Sequence, residues 1–375
     1  MSYRLFSVDD HVIEPAHVWA DRLPARFQEA GPHVIEEEGR EFWVYEGRRI
    51  ETMGLNAVAG KPPEDWGMEP VRFSDMLPGC YDPHVRAADM REQGIIGSVP
   101  FPTLPGFGGR VFHEFADKDL ADHCVRAYND FMIEEWCAAA PDFYVPTIIC
   151  QLWDPERAAA EIRRCAALGA RTIALPDNPH PMGLPSIHQP YWEPVWTALE
   201  ETETVISLHI GASGRVPMAS PDTHFSTAIA SGPAQAGMEM LADLLFSPVV
   251  HAHPGLKFVI TEGGIGYMPY LLERIDEVWE KNRAWDAIGA YDRPTEIFQR
   301  SFWVCAVNER FGLEQRHHIG VDKILWECDY PHAETPWPHS QREAEKQFAG
   351  MPDDEVELIS HRNAQTLFRF EGASW

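Results

Sequence analysis

Eight short apolar runs, rich in β-branched and aromatic residues, recur along the chain, with helix-length stretches between most of them. The runs are Arg4–Asp9, Ile95–Phe101, Phe143–Cys150, Arg171–Pro176, Thr204–Ile210, Lys257–Thr261, Phe302–Val307 and Lys323–Cys328. Pro155–Leu168 and Tyr267–Lys281 place apolar residues at helical spacing, which is one face of an amphipathic helix. Strands that alternate with helices pair in parallel, because each helix carries the chain back before the next strand begins. Eight such units are the number that closes a (β/α)8 barrel. An open doubly wound sheet shares the local pattern. No G-x-G-x-x-G follows an early strand, which counts against its dinucleotide-binding version. The expected fold is α/β, a distorted (β/α)8 TIM barrel covering residues 1–375 as one domain.

Residues 30–80 lie between the first two runs and are too long and irregular for a simple crossover. β-like runs around His33–Glu36 and Glu41–Tyr45 are joined by a charged turn, and Gly54–Gly79 is rich in Gly and Pro without periodicity. This region reads as an inserted hairpin and lid after the first strand, not as an independent domain. Its place matters, because barrel active sites are built from the loops that follow the strands.

The formal net charge is −27, from 31 Lys+Arg against 58 Asp+Glu. A surface this acidic repels phosphate backbones and anionic lipid, so neither nucleic acid nor a membrane is an expected partner. No apolar run approaches the roughly 18 residues of a membrane span. Met1–Asp10 lacks the pattern of a signal peptide. Seven cysteines without a CxxC pair point to reduced thiols and a cytoplasmic location. These properties suit an enzyme acting on a small-molecule substrate.

Side chains with metal-ligand chemistry fall at the C-terminal ends of three runs. The first ends Val8-Asp9-Asp10-His11. Residues two apart in a strand share a face, so Asp9 and His11 converge while Asp10 points away. The fifth run ends Ser207-Leu208-His209, and the eighth leads into Asp329-Tyr330-Pro331-His332. Together Asp9, His11, His209 and Asp329 can hold one divalent ion and leave positions open. Zn²⁺ suits this nitrogen and oxygen set best, with Mn²⁺ and Fe²⁺ as competitors. Singly, each residue reads equally well as a turn former or helix cap. Their coincidence at three strand ends is what points to a metal.

Around this set, His332 and Glu334 are placed to touch substrate or support Asp329. Asn308 and Trp337 are candidate substrate contacts, and Trp66 and Phe107 candidate apolar walls. His251-Ala252-His253 has ligand spacing but precedes the sixth run, at the opposite end of the barrel, and reads as structural. The apolar terminus with Phe368, Phe370 and Trp375 can dock on a partner or on its own barrel.

Four segments, in order, resemble motifs of the amidohydrolase-related family. They are Ser7-Val8-Asp9-Asp10-His11-Val12-Ile13-Glu14-Pro15, Ser207-Leu208-His209-Ile210-Gly211, Thr261-Glu262-Gly263-Gly264-Ile265-Gly266 and Asp329-Tyr330-Pro331-His332. The resemblance runs from Ser7 to about Phe370, toward the branch of aminocarboxymuconate-semialdehyde decarboxylase and γ-resorcylate decarboxylase. It implies a distorted barrel with one catalytic metal, zinc or manganese, held by Asp9, His11, His209 and Asp329, in a homodimer. The chain departs from the pattern in two places. Decarboxylases of this branch usually carry a proton-transferring histidine after strand six, where this chain has Glu262. Other amidohydrolases bridge two metals with a carboxylated lysine after strand four. Here that strand ends Ile173-Ala174-Leu175-Pro176-Asp177, which favours one metal.

The leading expectation is hydrolysis of a small organic acid derivative (amide, ester, thioester or activated C–C bond) by a metal-activated water. Asp329 would take the proton, and Glu262 or His332 would pass one to the leaving group. The alternative is non-oxidative decarboxylation of an aromatic or enoic acid. A barrel that only binds a ligand is the third reading, and the intact ligand set argues against it.

Overall fold

The computed structural model describes residues 2–50, 54–67, 72–215 and 217–373. Eight of its strands form one all-parallel sheet, and each of the eight runs contributes one. They are β1 (Leu5–Val12), β5 (Ile95–Pro102), β6 (Thr147–Ile148), β7 (Thr172–Pro176), β8 (Val205–His209), β9 (Phe258–Thr261), β10 (Phe302–Ala306) and β11 (Ile324–Trp326). The spatial order is β5-β1-β11-β10-β9-β8-β7-β6. The gap between β5 and β6 is closed by a single parallel bridge from Ser98 to Tyr144. There Ser98 donates its N–H to the Phe143 carbonyl and accepts from the N–H of Val145. The barrel is thus closed, with its weakest seam at β6.

That seam has a local cause. The sequence predicts a strand over Phe143–Cys150, yet only Thr147 and Ile148 pair with β7. Pro146 has no N–H to give to a ladder, and its carbonyl accepts from Arg171 and Thr172 instead. Elsewhere the barrel strands are buried on both faces, Trp303 of β10 apart, as strands between a packed interior and a helical layer must be. The helices Pro155–Ala167 and Met268–Asn282 lie close to their predicted bounds. Asp154 caps the first of them by accepting from the Arg157 N–H, with Pro155 at the opening position.

The insertion carries a three-stranded antiparallel meander: β2 (His33–Glu37), β3 (Arg40–Tyr45) and β4 (Arg48–Ile50). Its third strand is not anticipated from sequence. The overlooked signal is a repeated Glu-Gly pair, Glu38-Gly39 and Glu46-Gly47, in which all four residues have positive φ. Two-residue turns with positive φ at both positions match the twist of paired strands. Trp43 packs edge-on against Trp19, and Tyr45 against Phe112 and Phe115, so the meander sits on segments that follow β1 and β5. Residues 51–53 and 68–71 of the expected lid lie outside the described residues.

At the other end of the chain, Phe368 stacks on Phe6 of β1 and Phe370 meets the same ring edge-on. The terminus therefore docks on its own barrel. Trp375 lies outside the described residues. No helix among the described residues is long and apolar enough to cross a membrane.

Candidate metal centre

β1 carries Asp9 and His11 on one side of the strand, and β8 ends on His209. Asp329 follows β11 and hydrogen-bonds back to β1, its N–H donating to the Asp9 carbonyl at 2.7 Å. The four side chains meet at the C-terminal end of the barrel. His11 Nε2 lies 3.2 Å from Asp9 Oδ1, 3.3 Å from Asp329 Oδ1 and 3.2 Å from His209 Nε2. His209 Nε2 is also 3.4 Å from Asp9 Oδ2. Asp10 points the other way, accepting from Ser98 Oγ at 2.6 Å and from the Tyr330 N–H at 3.1 Å.

The chemistry of these atoms fits a bound cation. Both oxygens of Asp9 and both of Asp329 are buried without a hydrogen-bond donor. Leaving such groups unpaired costs free energy, and a positive ion compensates it. His209 Nδ1 faces the Ile210 carbonyl at 2.7 Å, which can only accept, so Nδ1 carries the proton. The Nε2 lone pair is thereby turned toward Asp9 and His11, as in metal-bound imidazoles whose second nitrogen is fixed by a carbonyl. Two imidazole nitrogens facing each other across 3.2 Å, both beside the Asp9 carboxylate, are the arrangement that a shared cation would satisfy. Asp9, His11 and His209 form one candidate ligand triad, and His11, Asp329 and His332 a second that shares His11.

Burial dominates the electrostatics. It raises the Asp9 carboxyl well above its ordinary range, with repulsion from Glu327, Asp329 and Glu262 adding to it. Burial likewise raises Asp329 and Glu262, the latter pushed further by Asp329, Glu327 and Glu334. The histidines move the opposite way. His209 and His332 are both lowered to about 3, chiefly by burial. The cluster therefore disfavours cationic imidazoles and crowded anions alike. A divalent ion reverses both penalties.

Further groups complete the mouth. Glu262 Oε2 reaches to 3.5 Å from His209 Nε2, and its side chain is 20% exposed, against 2% for Asp329. His332 Nδ1 lies 2.9 Å from Asp329 Oδ1, and its ring stacks on the His11 ring at 3.7 Å. Phe107 packs on His209 at 4.3 Å and on His11 at 4.6 Å. Asn308 and Trp337 lie elsewhere: with Thr335, His339 and Arg342 they line a neighbouring groove. Asn308 donates to the Glu334 carbonyl, and Trp337 packs edge-on against Tyr330. Neither makes a hydrogen bond or ring contact to the four candidate ligands among the described residues. His253 sits before β9 between Glu200 and Glu193, at 2.9 and 3.1 Å, in an ion-pair role.

Two features of the site are not read from sequence. Glu262, Asn308 and Asp329, which follow β9, β10 and β11, all have positive φ, at 57°, 31° and 53°. Such a backbone costs a non-glycine residue on the order of 1 kcal/mol and clusters at functional sites. The second is Arg86, wholly buried beneath the ligand set. It donates to the carbonyls of Gly79, His11, Tyr330 and Cys80 at 2.6, 2.8, 3.4 and 3.5 Å.

Comparison with known proteins brings this geometry to a family. The amidohydrolase family model matches residues 16–370. This chain belongs to the amidohydrolase family. Among curated amidohydrolase-related proteins it is similar to a γ-resorcylate decarboxylase of Rhizobium radiobacter, 26% identical over 277 residues, which covers 68% of this chain and 79% of the relative. Among solved structures it is similar to an amidohydrolase of Mycobacterium avium subsp. paratuberculosis. That match has a TM-score of 0.77, 24% identity, and covers 98% of this chain and all of the other. A 5-carboxyvanillate decarboxylase of Novosphingobium aromaticivorans, complexed with manganese and 4-hydroxy-3-methoxy-5-nitrobenzoic acid, matches with a TM-score of 0.65 and 18% identity. That match covers 98% of this chain and 96% of the other. At these identities the two structures establish the barrel alone, and the chain is an amidohydrolase-family enzyme by the family match.

Proposed function

We propose that the protein is a metal-dependent, non-oxidative decarboxylase of a hydroxylated aromatic acid. The observation that carries this reading is the match to γ-resorcylate decarboxylase across most of both chains. It favours the carboxy-lyase alternative over the hydrolysis that the sequence puts first. One divalent ion held by Asp9, His11, His209 and Asp329 would supply Lewis-acid chemistry to a carboxylate substrate at the open side of the ligand set. Manganese is preferred to the zinc expected from sequence, because two carboxylates suit the harder ion and a structural neighbour is complexed with manganese.

The chain's own residues do the rest. Phe107, Glu262 and His332 surround the open side of the ligand set, so a substrate entering there meets them first. Glu262 is the carboxyl with an exposed edge, and it is placed to donate a proton to the carbon that bears the carboxylate. The C–C bond then breaks, its electron pair returns to the ring and carbon dioxide leaves. His332, with Nδ1 2.9 Å from Asp329 Oδ1, would help to orient that carboxylate. Burial of the cluster keeps water from competing. All seven cysteines are buried free thiols, which suits a reducing, cytoplasmic setting. A homodimer is proposed on the family resemblance. Hydrolysis is favoured by one feature, the carboxylate of Glu262 in place of a histidine, since a carboxylate serves as base toward water.

Product analysis separates the two. With manganese-loaded protein and γ-resorcylate in deuterium oxide, decarboxylation releases one carbon dioxide per turnover and leaves one deuterium on the vacated carbon. Carbon dioxide release from no hydroxybenzoate, beside turnover of an ester or thioester with solvent oxygen-18 in the product, would replace this reading by hydrolysis.

A further inference from the structure

The loop after β5 is built with unusual constraint for a loop that carries one partly buried aromatic ring. Thr103–Gly109 folds into consecutive tight turns: Gly106 N–H donates to the Thr103 carbonyl, Gly109 N–H to Gly106, and Val111 N–H to Pro105. Gly108 lies so close to the end of β7 that a Cβ there would sit 2.6 Å from Pro176 N and 2.7 Å from the Leu175 carbonyl carbon. No side chain fits in that gap. At the loop's start, the buried Glu14 carboxylate accepts from both the Thr103 and Leu104 N–H groups, each at 2.9 Å. Glu14 itself follows β1, three residues past His11. The loop is therefore tied to the strand that carries Asp9 and His11 and wedged against β7.

Everything in this construction places Phe107. Its ring lies against the imidazoles of both His209 and His11, and 5.7 Å from that of His332. Phe101, the other phenyl near these rings, is fully buried, whereas Phe107 is only partly so. A ring fixed beside the ligand imidazoles, with its backbone clamped on both sides, is a preorganised wall and not a swinging gate.

We propose that Phe107 determines the substrate class: its fixed face selects planar, conjugated carboxylates over saturated ones of the same size, and Glu14 is the positioning residue that holds it there. The inference rests on the decarboxylase reading for its substrate, yet the selection concerns binding and is tested apart from turnover. Offset stacking of two aromatic rings is worth roughly 0.5–1.5 kcal/mol beyond buried area, or about two- to tenfold in affinity.

The test measures binding of benzoate and cyclohexanecarboxylate to manganese-loaded protein by calorimetry, with wild type, Phe107→Leu, Phe107→Tyr and Glu14→Gln. Wild type is expected to prefer benzoate about two- to tenfold. Phe107→Leu, which keeps apolar bulk, brings the two affinities together, and Phe107→Tyr retains the preference. Glu14→Gln weakens the preference at unchanged manganese content, an effect that a purely structural role would not confine to the planar ligand. Equal affinities in wild type, or an undiminished preference in Phe107→Leu, would overturn the inference. If wild type prefers benzoate yet decarboxylates no hydroxybenzoate, the selection stands and the reaction assignment falls.

Discussion

Asp329→Asn is expected to abolish turnover while leaving the barrel folded. Both oxygens of Asp329 are buried and lack hydrogen-bond donors, and Oδ1 lies 3.3 Å from His11 Nε2 and 2.9 Å from His332 Nδ1. An amide keeps the shape but removes the negative charge and one ligand oxygen, so a loss of at least roughly 10²–10⁴-fold in kcat/KM is expected, the equivalent of the several kcal/mol that a held Lewis acid supplies. The stability effect has the opposite sign. Burial raises this carboxyl above its ordinary range, so the folded state disfavours its ionised form. A group of that kind gives its full stabilisation below its unfolded pKa and loses it as pH rises through the folded value. Neutral pH lies above the ordinary carboxylate range, so the wild type has given up stability there that the amide, which never ionises, keeps. Metal-free Asp329→Asn should therefore melt a few degrees above metal-free wild type, as expected where a site is built at the expense of stability. Calorimetric melting and initial rates on the two proteins check both halves. An active variant, or one that melts well below wild type, would remove Asp329 from the site.

Arg86→Leu should have the largest effect on stability. The guanidinium is fully buried, donates to four backbone carbonyls and lies 4.1 Å from the Tyr330 ring centroid. It also opposes the burial that lifts the Asp10 carboxyl to about 7. Leucine fills much of the volume but leaves those carbonyls and Asp10 without their cation. Breaking a buried charged partnership in this way costs on the order of 3–5 kcal/mol, which lowers Tm by roughly 4–6 °C in a chain of this size. Because one of the four carbonyls belongs to His11, metal affinity should fall as well, by about 10–100-fold, the range for groups that orient ligands. Arg86→Lys should rescue neither property, since one ammonium cannot span carbonyls on three separate segments. Thermal melts and metal titrations provide the measurements. A variant with wild-type melting and affinity would show that Arg86 does not tie the strand ends together.

The candidate ligands were legible because strand geometry is periodic. In β1 a period of two puts Asp9 and His11 on one side and sends Asp10 to Ser98, and β8 ends at His209 as its apolar pattern predicts. Beyond the strands, residues were named but the direction of their side chains was not legible. Glu262 and Asp329 occupy positive-φ positions, where no strand or helix rule says which way a side chain turns. Asn308 and Trp337 follow strands in the same manner, yet they line the neighbouring groove and not the ligand cluster. Arg86 lies in the helix Pro83–Glu92, whose few apolar positions give no sign that a charged residue is buried there. Its partners are backbone carbonyls drawn from distant parts of the chain, and backbone groups carry no sequence signature. The short β6 has a similar origin, because one proline overrides a run that is otherwise strand-like.

Metal stoichiometry tests the site most directly. Wild-type protein and Asp329→Asn would be purified without chelating resin, incubated with excess manganese, desalted and analysed for bound metals. One divalent ion per chain in the wild type, and far less in the variant, is the expected result. Two ions per chain, or none retained by the wild type, would contradict a single metal held by Asp9, His11, His209 and Asp329.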